Sequence, residues 1–510
     1  MTSTLKAIFE DFYQSRAAFA QSMASYAEQP PLIPQLTEYH GLELLKPLVT
    51  DPVPSVRLSA STAIGRIASS SDEMATEVVN MEMIPQLVSC MNGQKNSFRK
   101  SAAFIIRSVV RHNATLAQSA WEAGAVESLI EFLSNKDPTV KEAGFQALGC
   151  IAQHNPDLAQ YVADAGAIPL SVLALHQPEM IVNRAAASLL NCIVRHSQSL
   201  ASSVSDADGI EGLVPLLKST DTQTKISALS CLAQIAKHCV DLAEMVMGAG
   251  LFPSVLMTLV DVDNDVKKHA AVCIREIVKH TPDLAKAVID NGTSSALIAF
   301  VAGVPAPDNL PGIMCIGYIA AYSETLSIVL MDEGCIPILI KSMETPEPYM
   351  KAASAWALGQ LGKHTTSHAD RLVSSGTLPV LLEWMMDENA TEDLYLKCKH
   401  ALKSIINMTL NIPKLYPLLG VAGPEIVTYI VAQFGKILPS DGDLRKGFVS
   451  SGVLKTVLHL ESSDGSKLRE AIDAVKGCYP EKVIKHCSPE RESEMVEMVG
   501  EEEQNEEDVE

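Results

Sequence analysis

Histidine is the residue whose spacing first suggests chemistry, because six of the thirteen histidines recur at multiples of 42 residues. These are His112, His154, His196, His238, His280 and His364, and Tyr322 occupies the one intervening position. Imidazole is the commonest protein ligand of metals. Distance excludes a shared metal, however, because packed helices lie about 8–10 Å apart whereas zinc lies about 2 Å from each ligand.

A basic residue stands directly before most of these histidines. The positions are held by Arg111, Arg195, Lys237, Lys279 and Lys363, with Gln153 and Ala321 as exceptions. Two interpretations remain open. Cations and imidazoles at a helix C-terminus complement its negative end and bond its last carbonyls or the next helix start. Alternatively, the five basic residues form a basic edge that binds an acidic polymer such as a tubulin surface.

Other candidates for chemistry are weaker. The eleven cysteines include no CxxC pair and fall mostly in apolar stretches, which is typical of buried residues in a reducing compartment. We find no dinucleotide-binding, P-loop, nucleophile-elbow, zincin or EF-hand motif. Gly420 and Gly423 are followed by no Lys-Ser or Lys-Thr pair. We therefore predict that the chain is not an enzyme and holds no cofactor or metal.

An internal repeat of 42 residues must position these side chains. A glycine column comprises Gly124, Gly166, Gly250, Gly292, Gly334 and Gly376, with His40, Glu82 and Asp208 as exceptions. An apolar column comprises Ile64, Ile106, Leu148, Leu190, Leu232, Ile274, Ile316 and Leu358. Several columns in one register over so many intervals establish a repeat.

The sequence of each repeat predicts three helices. In the unit from His154, Asn155 and Pro156 begin a first helix that Gly166 ends. A second helix is predicted from Ile168 to about Leu175, and a third from Met180 to Val194. Small residues recur in the third helix, where they allow close approach of neighbours: Ala60, Ala102, Gly144, Ala186, Ala228, Ala270 and Gly312.

This order of helices resembles the armadillo repeat. The resemblance implies an all-α solenoid of about ten three-helix repeats with a 42-residue period. We expect an N-terminal helical cap at 1–30, an armadillo array at 31–410 and degenerate C-terminal repeats at 411–487. The register slips near Pro413 to Pro424, which predicts an insertion there.

Charge excludes some classes of partner. The formal net charge is −21, and eleven of the acidic residues lie in 488–510 beside one basic residue, Arg491. The composition of residues 488–510 therefore predicts a disordered acidic tail. The acidic balance argues against nucleic-acid binding, and no apolar run reaches the roughly 18 residues of a membrane span. The N-terminus does not resemble a signal peptide, so a cytoplasmic location is expected.

Three further segments are more specific. Ile8–Arg16, Gln433–Pro439, and Cys478–Glu481 followed by Cys487–Pro489 are similar to the sperm-associated antigen 6 family, armadillo proteins of the ciliary central apparatus. The resemblance implies a structural scaffold of the motile axoneme in cilia or flagella, attached to a central-pair microtubule and required for motility. Tubulin and other central-apparatus proteins are the implied partners, and such an array can also self-associate in rows.

The alternative is an armadillo adaptor that carries a soluble protein cargo. Importin-type adaptors bind basic peptides through a repeated Trp and Asn four residues apart on the long helix. The Trp-equivalent positions here hold Gln146, Ser188, Ser230, Val272, Met314 and Trp356. The Asn-equivalent positions hold Ser108, Cys150, Cys192, Gln234, Glu276, Tyr318 and Gln360. Because only Trp356 fits, we do not expect nuclear-import cargo binding.

Overall fold

A computed structural model of the chain describes residues 2–91, 95–463 and 465–487, and these residues form helices and turns without a β-strand. The chain divides into two compact units, Met1–His280 and Thr281–Glu510. Each unit is a stack of helices, so the predicted all-α repeat solenoid is confirmed.

The α-helices of the first unit alternate between short helices and one long helix. In chain order they are α1 (Thr2–Tyr26), α2 (Ile33–Glu38), α3 (Gly41–Leu45), α4 (Pro54–Ser70), α5 (Asp72–Asn80), α6 (Met83–Met91), α7 (Asn96–Val110), α8 (Ala114–Glu122), α9 (Ala125–Leu133), α10 (Pro138–Ala152), α11 (Pro156–Asp164), α12 (Ala167–Leu175), α13 (Met180–Val194), α14 (Gln198–Asp206), α15 (Gly209–Leu213), α16 (Thr222–His238), α17 (Val240–Gly248), α18 (Ser254–Leu259) and α19 (Asn264–Val278). Short 3-10 segments lie at Pro30–Leu32, Lys46–Thr50 and Val214–Lys218.

The second unit continues the alternation and then departs from it. Its α-helices are α20 (Pro282–Asp290), α21 (Thr293–Gly303), α22 (Leu310–Tyr322), α23 (Glu324–Asp332), α24 (Cys335–Ser342), α25 (Pro348–Gly362), α26 (Thr366–Ser374), α27 (Thr377–Met385), α28 (Glu392–Met408), α29 (Pro424–Ile437), α30 (Gly442–Ser450), α31 (Val453–Leu458), α32 (Lys467–Lys476) and α33 (Glu481–Cys487). Its 3-10 segments are Ile412–Gly420 and Leu438–Ser440.

The triplet of α11, α12 and α13 shows how the sequence sets these bounds. The side chain of Asn155 accepts a hydrogen bond from the backbone amide of Leu158 at 2.8 Å, which caps α11. Gly166 then takes a φ of 93° between α11 and α12. The three helices predicted from the sequence are confirmed, with bounds within one or two residues of those expected.

The turn between the first and second helices requires a left-handed residue in nearly every triplet. All six members of the glycine column have positive φ. The three exceptions in the sequence adopt the same conformation: φ is 57° at His40, 55° at Glu82 and 61° at Asp208. Side chains with a Cβ disfavour this region, so these three turns carry strain that glycine relieves elsewhere.

The long helices form the core of each unit by packing on one another. In the first unit α4 lies between α1 and α7, and the series continues through α10, α13 and α16 to α19. In the second unit α22, α25 and α28 pack in the same way. The small-residue column serves this packing, since a Cβ on Gly144 would lie 2.9 Å from the Cβ of Phe132 on α9.

The period changes after α25. Helix α28 begins 44 residues after α25, at Glu392, and α29 follows only 32 residues later, at Pro424. The insertion expected near Pro413 to Pro424 is therefore wrong: the 3-10 segment Ile412–Gly420 replaces the two short helices and shortens this repeat. The boundaries proposed at residues 30, 410 and 487 stay predictions, and the acidic tail at 488–510 lies outside the described residues.

Replacing Glu82 by glycine should stabilise the first unit, because glycine adopts the left-handed turn without the Cβ penalty. We expect the free energy of unfolding to rise by roughly 0.5–1 kcal/mol. The reciprocal change, Gly124→Ala, should lower it by a similar amount. Urea denaturation followed by circular dichroism measures both, and equal shifts of the two variants in one direction would contradict the explanation.

Candidate protein-binding surface

The histidine column joins neighbouring triplets. In the first unit each ring Nε2 lies within hydrogen-bond distance of a backbone carbonyl 44 residues earlier. The pairs are His112–Ala68 at 2.8 Å, His154–Val110 at 2.6 Å, His196–Ala152 at 2.8 Å, His238–Val194 at 2.6 Å and His280–Ala236 at 2.7 Å. In the second unit His364 bonds the carbonyl of Ala320 at 2.6 Å.

Each of these carbonyls lies in the last turn of the preceding long helix, where the helix itself supplies no amide partner. A carbonyl only accepts, so Nε2 carries the hydrogen and donates it. The helix-end interpretation is thus confirmed for the histidines, with the addition that the carbonyl belongs to the neighbouring triplet. The bond is a polar link between repeats.

Burial keeps these rings neutral where a shift is resolved. The pKa of His196 lies below its ordinary value of 6.5, chiefly because burial penalises the imidazolium and also because Arg195 is nearby. The pKa of His364 is lowered for the same first reason, with Lys363 adding to the effect. A hydrogen bond from each ring to its carbonyl opposes the shift but does not cancel it.

The basic edge predicted from the sequence occupies the C-terminal ends of long helices. Arg111 and Arg195 follow directly after α7 and α13, and Lys237 lies in the last turn of α16. All three side chains are exposed. The row is broken at α10, where Gln153 takes the equivalent place.

The remaining two members of the basic edge have local partners. Lys279 Nζ lies 2.5 Å from the carboxylate of Glu276, which is buried and also bonded by Arg275. Burial raises the pKa of Glu276, but the bonds from Lys279 and Arg275 outweigh it and leave the pKa below its usual value. In the second unit Lys363 Nζ donates to Gln360 at 2.7 Å, and burial lowers the lysine pKa.

Comparison of equivalent repeat positions did not identify Glu276 as the partner of Lys279. An acidic residue three positions before a lysine on one helix is a known pairing distance, so the sequence contained the pattern. The consequence is that Arg111, Arg195 and Lys237 are the members best placed to meet an external acidic group.

A polar network links the long helices of the first unit. Arg107 bonds Gln146, and the amide of Gln146 donates to Glu142 at 3.0 Å. Arg184 then lies 3.4 Å from Glu142 and 3.7 Å from Asp221. The chain of contacts runs from α7 through α10 and α13 to the start of α16, so these charges serve contacts between repeats.

The positions equivalent to an importin groove differ between the two units. In the first unit Cys150 and Cys192 are half-buried, and burial raises the pKa of both thiols, that of Cys192 to about 11. Such thiols are protonated and poor nucleophiles. In the second unit Trp356 meets Tyr318 edge to face, with ring centroids 5.1 Å apart.

The other two tryptophans contact residues of neighbouring helices. Trp121 on α8 stacks on Tyr161 of α11, with centroids 4.2 Å apart and planes inclined by 15°. Trp384 on α27 receives the ammonium of the buried Lys351 at 3.2 Å from its ring centroid. Both rings therefore contribute to packing.

The described residues contain no cluster of three or more His, Cys, Asp or Glu side chains placed to hold a metal ion. Within the same residues no single helix combines the length and apolarity needed to cross a membrane; α11 and α12 reach that standard only jointly, across a bend of 75°.

Comparison with known proteins places this arrangement among repeat proteins. A family model of the HEAT repeat matches residues 42–71. Sperm-associated antigen 6 is 43% identical in Mus musculus and 41% identical in Homo sapiens, in each case over 108 residues. The aligned stretch covers 21% of this chain and 21% of each relative, about a fifth of the length of both.

Among solved structures, an engineered protein from the Northeast Structural Genomics Consortium is similar with a TM-score of 0.69. The match covers 76% of this chain and 94% of that protein at 24% identity. Similarity at this level of identity concerns the fold alone, and it agrees with a stack of helical repeats.

Replacing His196 by leucine removes the donor to the Ala152 carbonyl and should lower the free energy of unfolding by about 1–3 kcal/mol. His196→Gln is the matched control, because its amide keeps a donor without a titrating group. In urea denaturation at pH 8, the wild type and the glutamine variant should have similar free energies of unfolding, and the leucine variant a lower one. Equal stability of all three would show that the bond is dispensable.

The same variants predict a pH dependence. Since the pKa of His196 is lower in the folded chain than the ordinary 6.5, the unfolded chain binds the proton more readily. The stabilisation by the neutral ring is present above about pH 6.5 and is lost as the pH falls through the folded pKa. Wild-type stability should therefore fall relative to His196→Gln as the pH decreases from 7 to 5; a parallel fall would contradict this.

Proposed function

We propose that the chain, an all-α repeat solenoid similar over 108 residues to sperm-associated antigen 6, is a structural scaffold of the motile-cilium axoneme. In this role it binds a central-pair microtubule and neighbouring central-apparatus proteins, and ciliary or flagellar motility requires it. Its location is then the cytoplasm, the cytoskeleton and the axoneme. The similarity supports the association with sperm and cilia, and the surface of the first unit supports the contact with tubulin.

The observation that carries the tubulin contact is the exposed part of the basic edge. Arg111, Arg195 and Lys237 end long helices that belong to one stacked series, α7 to α16. Cations repeated along such a series meet an acidic filament at several points at once. Each exposed ion pair contributes only about 0.2–1 kcal/mol, but linked contacts act together and give stable attachment. Lys279 of the first unit and Lys363 of the second are further members of the proposed edge, with weaker contributions because each has a local partner.

A stacked array also supports self-association in rows, which we include in the proposal. The chain exposes repeated side chains of similar type, and identical chains aligned along a filament add contacts without a new binding site. Neither a nucleic acid nor a membrane is a proposed partner.

The second candidate is an adaptor that carries a soluble protein cargo. The aromatic pair of Tyr318 and Trp356 favours it locally, because rings on a long helix are typical of peptide grooves. In the first unit Phe104 is a ring at the position equivalent to Trp356, but Arg66 stands at the position equivalent to Tyr318. The later equivalent positions hold Ser188, Cys192 and Ser230. The scaffold is therefore the better supported of the two.

Reversing the exposed basic edge should weaken microtubule binding. The triple variant Arg111→Glu, Arg195→Glu and Lys237→Glu removes three attractions and adds three repulsions, so we expect at least a tenfold or roughly 1.4 kcal/mol loss in co-sedimentation affinity. The matched control is Lys95→Glu, Lys136→Glu and Lys218→Glu, which changes the net charge equally at exposed sites before long helices. Equal loss in both triples, or unchanged binding in the first, would refute the basic edge.

Retention on axonemes separates the two candidate functions. A scaffold should stay with detergent-extracted axonemes and leave only at raised salt, because screening weakens exposed ion pairs. An adaptor should leave with the detergent-soluble fraction. Immunoblotting of the two fractions measures the distribution, and release of most of the protein by detergent alone would count against the scaffold.

A further inference from the structure

Two adjacent helices near the end of the second unit carry a surface of lysines and tyrosines. Helix α28 contributes Tyr395, Lys399, His400 and Lys403, and α29 contributes Tyr429 and Lys436; we term these six residues the lysine–tyrosine surface. Tyr395, Lys399 and Lys403 are spaced four residues apart, and Lys436 lies seven residues after Tyr429. These spacings place each set on one face of its helix.

The contacts between α28 and α29 follow a regular pattern. Lys399 Nζ lies 2.5 Å from the carboxylate of Glu425, and one turn further Lys403 Nζ lies 5.4 Å from the ring centroid of Tyr429. Glu425 and Tyr429 each lie 26 positions after the lysine that they contact, so successive turns of α28 contact successive turns of α29. Lys399 also lies 5.8 Å from the ring centroid of Tyr395.

The charge of this surface is positive. The hydrogen bond from Lys399 lowers the pKa of Glu425 and the bond to Glu425 raises that of Lys399, so this pair is an ion pair at neutral pH. His400, Lys403 and Lys436 are exposed beside it, and Tyr395 is 37% exposed. Lysines interleaved with exposed rings provide charge and apolar contact together.

The chain itself contains a segment of the complementary chemistry. Residues 490–510 hold eleven carboxylates and one basic residue, Arg491. Within them, Met495-Val496 and Met498-Val499 separate two acidic blocks. Thioether and branched side chains contact aromatic rings favourably, so this segment matches the lysine–tyrosine surface in both charge and apolar content.

The segment is also long enough to reach the surface. Helix α33 ends at Cys487, α29 packs on α32 as well as on α28, and 23 residues follow Cys487. At about 3.3 Å per residue they span up to about 75 Å, whereas the three helix spacings from α33 through α32 and α29 to α28 amount to about 30 Å. A short tether of this kind gives an effective concentration near millimolar, which makes weak ion pairs sufficient.

From these observations we propose that residues 490–510 bind in cis to the lysine–tyrosine surface. The acidic blocks contact Lys403, Lys436 and His400, and the Met-Val pairs lie against Tyr395 and Tyr429. Residues 490–510 and an acidic segment of another protein then compete for the same lysines. This inference is independent of the proposed tubulin contact, which Arg111, Arg195 and Lys237 carry in the first unit.

Zero-length carbodiimide cross-linking of the full chain tests the contact. We expect carboxylates of 490–510 to couple to Lys403 and Lys436 but not to the exposed Lys341 and Lys446, with loss of coupling at about 1 M salt, where the Debye length falls to about 3 Å. Coupling of Lys399 to Glu425 is the internal positive control. Absence of tail coupling, or equal coupling to all four lysines, would overturn the proposal.

A protease assay supplies a second measurement that does not depend on lysine chemistry. In the full-length variant Lys403→Glu with Lys436→Glu, a glutamate-specific protease should cleave 490–510 at least about fivefold faster, because two attractions become repulsions. The control Lys341→Glu with Lys446→Glu should cleave at the wild-type rate. Equal rates in all three chains would overturn the proposal.

The source of the acidic segment is settled by mixing isotopically labelled and unlabelled chains before cross-linking. Coupling within one isotope class supports binding in cis. Mixed coupling would assign the surface to a second copy and overturn the cis contact. If added polyglutamate couples to Lys403 while the tail does not, the surface belongs to an external acidic partner and the proposal likewise fails.

Discussion

Each helical triplet has an apolar face that only the adjacent triplet covers, and the rest of the structure depends on that burial. Ile106, Leu148 and Leu190, one on each of α7, α10 and α13, are completely buried. Burying a side chain of this size contributes about 1.5–3 kcal/mol, and the column repeats it at every triplet. Because the covering surface always comes from a neighbour, a triplet removed from the stack loses its core.

Hydrogen bonding follows the same rule as the core. The last carbonyls of a long helix have no amide of their own helix to accept from, and His154 or His238 supplies the missing donor from the next triplet. A directional bond adds what apolar contact lacks, since it fixes how far each triplet advances along its neighbour. These carbonyls are thus satisfied within the stack, and the exposed side chains remain for partners.

Many of the helix bounds and turns could be predicted from the sequence, because the same residue types recur at equivalent positions of each repeat. The helix bounds around Gly166 and the conformation of the turn at Glu82 follow from the columns alone. The histidine acceptors could not be predicted, because a column identifies a position within a repeat but not the atom across the interface. The step from α28 to α29 could not be predicted for a related reason: once the period is lost, the sequence does not show that the 3-10 segment Ile412–Gly420 replaces two helices.

In a repeat protein, the residues that distinguish one repeat from another are the ones that can give a partner a specific binding site. Equivalent sites have the same backbone geometry, so a partner distinguishes them only by the exposed side chain. Gln153 interrupts the basic edge, Glu276 neutralises Lys279, and Trp356 introduces a ring where Ser188 stands in another repeat. None of these changes disturbs the buried columns, which is why the exposed positions are free to vary. The net charge of the chain does not show this variation. About half of the net charge of −21 comes from residues 488–510, whereas the basic edge places positive charge at the ends of long helices. Binding specificity therefore has to be read helix by helix, from the side chains that the stacking leaves uncovered.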